Sequence, residues 1–292
     1  TKTNLIKSSL EADQNSLKFV AYSHADVGQF NAWVRKSVFN RDRELSVGDL
    51  IHIHSGVPYD EENELGGSVQ IVTDRFAEIT ELLESAPPLV QPLRGRDKPI
   101  TVHFLRVRAR LVENGAEFQM LCLRDYLYAD KPEIDTDTLL ALRVSAETRF
   151  KKMISLSPQN QHDEERLKGD DATLRAEFFR KDPHLNAARI RFGYALTLHR
   201  AQGQSFPHVI SNLDTGQGQT NAPYFRWLYT LFTLPEHRLN LSNIPHITPF
   251  TEARWDESRA MLNTSKPKDL IPYDSQSNKS VQIPEQFEFT DK

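Results

Sequence analysis

Cysteine is almost missing from this chain. Its single residue, Cys122, allows no internal disulfide and no cysteine-rich metal site. Long apolar runs are missing too: no stretch approaches the ~20 residues that a membrane-spanning helix needs. The N-terminal TKTNLIKSSLEADQN lacks the basic-then-apolar order of a signal peptide. Together these absences lead to the expectation of a cytoplasmic protein with no membrane contact. An initiator methionine is also lacking, as expected of a processed or truncated chain.

Chemistry-bearing motifs are scarce as well. No glycine is followed by Lys-Ser or Lys-Thr, so the chain has no Walker A phosphate loop. No apolar strand ends in an acidic pair suited to Mg²⁺, and Asp60-Glu61-Glu62 and Asp163-Glu164-Glu165 lie in polar surroundings. His52 and His54 alternate on one strand face, but a metal would want a third ligand, and there is no H-E-x-x-H pattern; no metal site is expected. A serine nucleophile elbow is absent. The net charge of -4 implies no bulk attraction to nucleic acid, though a local basic cleft can act on an otherwise acidic surface.

What remains is a soluble composition, 38% hydrophobic and 26% charged over 292 residues, enough for two domains or one with an insertion. Residues 1–16 read as a polar lead-in. Leu17 to Tyr22 reads as a short buried strand, Ser23 to Asp26 as a polar turn and cap, and Val27 to Phe39 as a helix. Val27, Phe30, Val34 and Val38 share one face of that helix, leaving Asn31 and Arg35 on another. A turn at Val47-Gly48-Asp49 leads into a strand ending near Ile53. Between Ser55 and Ala129 short alternating segments and turn signals predict a small antiparallel module of a kind that can close as a barrel, with a helix over Phe76–Glu84. Arg94 to Lys98 reads as an exposed loop. Residues 135–182 read as two charged helices, the first with Leu139, Leu140, Leu142, Val144, Phe150 and Met153 on its apolar face, the second from Glu164 to Phe179. The strand pattern resumes at Ala188. The fold class expected is therefore α/β, with a parallel sheet built from residues 1–54 and 184–250. An α+β insertion at 55–183 interrupts it, and an extended tail at 251–292 follows.

The densest polar stretch is Arg191–Leu213, where an apolar run, a polar turn and a second apolar run succeed one another. Gly203 suits either a positive φ or a close backbone approach. Polar loops at the ends of buried strands are where open α/β sheets bind ligands.

Gly193 to Phe206, GYALTLHRAQGQSF, closely resembles motif V of superfamily 1 helicases of the RecD- and UvrD-like groups. Phe19 to His24, with Asn31, Arg35 and Leu45 to Asp49, resembles the motif IV region, Ser23-His24 standing where Thr-Asn is usual. Arg226 to Thr233 resembles the start of motif VI, but Leu234-Pro235 follows where the family places its arginine finger. The resemblance implies a second RecA-like domain. It implies strand contacts from Thr197, His199, Arg200, Gln204, Ser205, His24 and Asn31, with helix amides beside Arg200 favouring phosphate. It implies nucleotide contacts from Gln202, Gly203 and Arg35, and Arg238 or Arg226 as stand-ins for the finger, Arg238 being ~5 Å further along if Pro235 begins a helix. The expected partners are single-stranded DNA or RNA and an N-terminal RecA-like domain. ATP and Mg²⁺ are expected in the intact protein, with the Mg²⁺ ligands outside this chain. A helicase-like module that binds nucleic acid or protein without hydrolysis is the alternative.

Overall fold

The computed structural model describes residues 2–247, apart from 43, 57–71, 85, 130–132, 157–171 and 217, together with a short strand pair at 273–274 and 279–280. Two sheets organise it. The first holds β1 (Leu17–Ala21), β9 (Ala195–Thr197), β10 (Phe206–Asn212) and β11 (Pro235–Ser242), all parallel, in the order β11-β10-β1-β9. Because side chains alternate along a strand, Leu17 and Phe19 face α1 (Lys2–Ala12) and α2 (His24–Ser37). Val20 faces the other way, toward α7 (Ala222–Phe232). Helices on both faces explain why β1 is buried at every position. The N-terminal segment is thus a helix rather than a polar lead-in: Ile6 and Leu10, four apart, dock on Phe19 and Val34.

The second sheet is antiparallel and has the order β7-β6-β3-β2-β8, from β2 (Leu50–Ser55), β3 (Arg75–Leu82), β6 (Phe104–Leu111), β7 (Glu117–Leu123) and β8 (Arg189–Phe192). It closes on itself. Ala188 bridges to Cys122, the Leu123 amide donating to Ala188 O at 2.9 Å and the Ala188 amide to Leu121 O at 2.6 Å. Ile51, Ile53, Ala77, Ile79, Met120 and Ile190 fill the interior of this small barrel. The strand ending near Ile53 and the strand at 189–192 therefore pair with the barrel and not with the parallel sheet, so the barrel begins at Leu50 and ends at Phe192. Phe76–Leu82 is strand, not helix, and Leu83-Glu84 lie beyond its end. Its apolar residues fit either period, and pairing on both sides with β2 and β6 decides the matter.

The chain passes from barrel to parallel sheet at Gly193. A Cβ there would lie 3.0 Å from the Ile51 carbonyl carbon and 3.2 Å from His52 N, so a larger residue would press on the β2 backbone at the crossing. Beside the barrel, β4 (Leu89–Gln91) pairs with β5 (Ile100–Val102), and the single turn α3 (Arg124–Leu127) follows β7. Two further helices, α4 (Thr136–Leu156) and α5 (Ala172–Lys181), pair through Phe150 and Phe178 and the Arg149–Asp182 ion pair at 2.7 Å. The buried face of α4 is Leu142, Ala146, Phe150 and Ile154, which leaves Leu139 and Leu140 exposed. The expected strand at 68–72 and the start of the second helix fall largely outside the described residues, as does most of the tail. Among the described residues no helix is long and apolar enough to cross a membrane.

Candidate nucleic-acid interface

The carboxyl ends of β1 and β9 lie side by side, Ala21 opposite Thr197. From the first, the chain turns at Ser23, which caps α2 by accepting from the Asp26 amide at 3.1 Å, and brings His24 to the sheet edge. From the second, Thr197 leads into α6 (Leu198–Ala201). Thr197 is buried, yet its hydroxyl neither caps α6 nor finds any other hydrogen bond among the described residues. His199 and Arg200 follow on the exposed face. Gly203 ends the turn at φ +82, the left-handed region that excludes most side chains, while open space around it shows that no close approach is involved.

A cleft of about 840 Å³ opens at this edge. Thr197, Arg200 and His24 line one wall; His54, Tyr128 and Arg191, carried by the barrel, line the other. The field inside is positive. Partial burial lowers the pKa of His24, and the neighbouring Arg191, Arg200 and His199 lower it further. A smaller cleft of about 340 Å³ adjoins, holding His199, Gln202 and Gln204 beside Asp74, whose carboxylate accepts from Arg200 at 3.2 Å. Ser205 is exposed at the end of the turn.

Several expected site residues are placed otherwise. Asn31 is buried, its Oδ1 accepting from the Tyr194 and Ala195 amides at 3.1 and 2.9 Å and its Nδ2 donating to Ala195 O at 3.3 Å. It lines the cleft, but its side-chain amide is spent on positioning β9. Arg35, expected at a nucleotide, is committed to Asp49, with Nε at 3.1 Å from Oδ1 and Nη2 at 3.0 Å from Oδ2. It also donates to Glu44 O and lies over the Phe192 ring at 4.2 Å. Pro235 begins a strand, not a helix, so the reach anticipated for Arg238 fails. Arg238 lies exposed on β11, and Arg226 lies exposed on α7; neither lines either cleft. Leu234 is sealed in the core with Leu231 and Trp227. The four residues of α6 are too few for a macrodipole of consequence, so attraction for phosphate rests on side chains.

The barrel wall is not legible from sequence. Arg191 lies near enough to the motif to be suspected, but His54 reads only as half of an incomplete metal pair.

Residues 192–241 match the family described as UvrD-like helicase C-terminal domain. The matched stretch runs from the end of β8 through α6, β10 and α7 to β11, and so takes in the loop that carries Thr197, His199 and Arg200. The parallel sheet with helices on both faces agrees with the α/β class expected from the sequence. No curated protein matches the sequence. Among solved structures it is similar to the Pif1 helicase from Candida albicans, at 10% identity and TM-score 0.34 over 78% of this chain and 46% of that one. It is also similar to the Pif1 helicase from Bacteroides in complex with ADP-AlF3 and single-stranded DNA, at 12% identity and TM-score 0.35 over 90% and 49%. The chain spans about half the length of these two structures.

Proposed function

We propose that this chain is the second motor domain of an ATP-dependent helicase and that it grips single-stranded DNA or RNA in the cleft at the ends of β1 and β9. The observation that carries the reading is the Thr197 hydroxyl, which lines a positively charged cleft without a protein partner. A hydroxyl and a guanidinium a few residues apart suit consecutive oxygens of a phosphodiester, contacts that position a strand without reading its sequence. His199, Gln204 and Ser205 follow on the same turn and would extend the contact along the strand.

The nucleotide half of the reading is weaker in this chain. A triphosphate does not fit the residues present. The finger position is a buried leucine, Arg35 is held by Asp49, and no glycine-rich phosphate loop exists. Gln202 and Gly203 are left as its nucleotide-side residues, next to the strand cleft. These observations favour a second reading, a helicase-like module that binds nucleic acid without completing an ATP site. Strand-stimulated ATP hydrolysis, measured with a first RecA-like domain supplied, separates the two. The motor reading expects turnover that rises with added single strand, and the binding-module reading expects no stimulation at all.

Strand binding itself is tested by fluorescence anisotropy over a salt series. Thr197→Ala is expected to weaken binding about tenfold, the scale of one hydrogen bond to a charged oxygen. Arg200→Ala is expected to weaken it and lower the salt slope by about 1, because one phosphate fewer is neutralised. Unchanged affinity and slope in both variants would remove the assignment.

A further inference from the structure

The second wall of the cleft belongs to the barrel, and one side chain on it is poised for a ligand. His54 stands at the end of β2 and lines the cleft. Its Nδ1 meets the Tyr126 hydroxyl at 2.7 Å, and the two rings stand edge to face at 5.7 Å. Nothing among the described residues bonds its Nε2. Arg191 lies over the Tyr126 ring, its guanidinium 4.4 Å from the ring centre, while it donates to Ala129 O. The Tyr126 bond and the His52 ring, edge to face at 5.1 Å, hold the imidazole and leave Nε2 without a partner among the described residues.

We propose that His54 binds the single strand from the barrel side, donating an uncharged hydrogen bond from Nε2 to a backbone phosphate held opposite by Thr197 and Arg200. The inference rests on the strand-binding reading above and adds a second wall to it. Two features favour an uncharged contact. Burial, followed by the charges of His52, Arg200, Arg191 and His24, holds the imidazole neutral far below its ordinary range. A phosphate at Nε2 selects the tautomer with the proton there, and the Tyr126 hydroxyl then donates to Nδ1, so the pair is satisfied at both ends. Tyr126 is the positioning residue. The plain alternative, a histidine serving only the Tyr126 bond, needs no access to the cleft and predicts no effect on binding.

A neutral contact has a signature of its own. It releases no counterion, so its loss lowers affinity equally at every salt concentration and leaves the slope alone. The 292-residue chain would be titrated against a fluorescein-labelled oligothymidylate across a salt series, with thermal unfolding followed for each variant. His54→Ala is expected to bind about tenfold more weakly with the slope of the wild type. His54→Gln, which keeps a donor, is expected to retain most of the affinity, and Tyr126→Phe to show a smaller loss in the same direction. Wild-type affinity in a folded His54→Ala, alongside a lowered slope in Arg200→Ala, overturns the second wall and leaves the strand reading intact. A lowered slope in His54→Ala overturns the uncharged contact. Failure of the wild-type chain to bind overturns both.

Discussion

Thr197 and Arg35 both belong to motifs that imply a ligand, yet the fold treats them in opposite ways. The loop after β9 keeps its polar groups open: a hydroxyl without a protein partner, a histidine and an arginine on the surface, and a glycine that ends the turn. Arg35 lines the same cleft, but its polar groups are already taken by the protein. Asp49 is fully buried and accepts from Arg35, from Arg41 at 2.8 Å, from the Ser46 amide at 2.8 Å and from the Tyr194 hydroxyl at 3.2 Å. Availability, more than residue type, separates a binding group from a structural one.

That contrast breaks first, and most visibly, at Arg35. Its side chain is 4% exposed, and its partner carboxylate is wholly buried. Arg35→Ala leaves that carboxylate short of its main countercharge, which typically costs about 3–5 kcal/mol. Urea unfolding of the variant measures the loss. A loss under about 1 kcal/mol, the range of an ordinary surface substitution, would return Arg35 to the ligand side of the comparison.

The same contrast explains what can be read from the residues alone. The loop at 191–213 is legible because its polar groups are consecutive and open, so the pattern that identifies them is the pattern that acts. The parallel sheet follows from apolar strands alternating with a capped helix. The barrel wall is not legible. His54 and Tyr126 lie 72 residues apart and meet only when β7 turns back beside β8. Arg35 misleads for the mirror-image reason: its partner Asp49 sits within a turn signal, and nothing local shows that the turn is buried. Phe76–Leu82 spaces its large side chains like a helix, and only the neighbouring strands β2 and β6 overrule it.

A second, smaller break lies between the two units. His52 is fully buried on the outer face of the barrel, packed on Phe76 at 4.8 Å and His54 at 5.1 Å, with neither ring nitrogen bonded. Burial, opposed by Asp74 and reinforced by Arg200 and Lys18, lowers its pKa to about 4. Since the folded value lies below the unfolded one, the unfolded chain binds the proton first. The contribution is therefore whole above about pH 6.5 and is lost as pH falls toward 4. The size is on the order of 3 kcal/mol, at 1.36 kcal/mol per pH unit. Urea unfolding at a series of pH values should show the decline in the wild type and a shallower one in His52→Phe. Parallel curves would mean that His52 does not contribute.

The finest test falls within the open loop, where one group is less free than the others. Arg200 is held by Asp74 at 3.2 Å, with the two side chains 41% and 53% exposed. A pair so exposed is worth about 0–1 kcal/mol, so a phosphate entering the cleft can displace the carboxylate, but it must compete with it. Asp74 sits at φ +50, a conformation that asparagine adopts about as readily as aspartate, so Asp74→Asn removes the charge and keeps the backbone. The variant is expected to bind a single strand roughly two- to fivefold more tightly, the most that releasing such a pair can yield. In an Arg200→Ala background the gain should vanish, because the competitor then has nothing to hold. A gain that persists without Arg200 would mean that Asp74 acts through the general field of the cleft, and a loss of affinity would place Asp74 among the groups that build it.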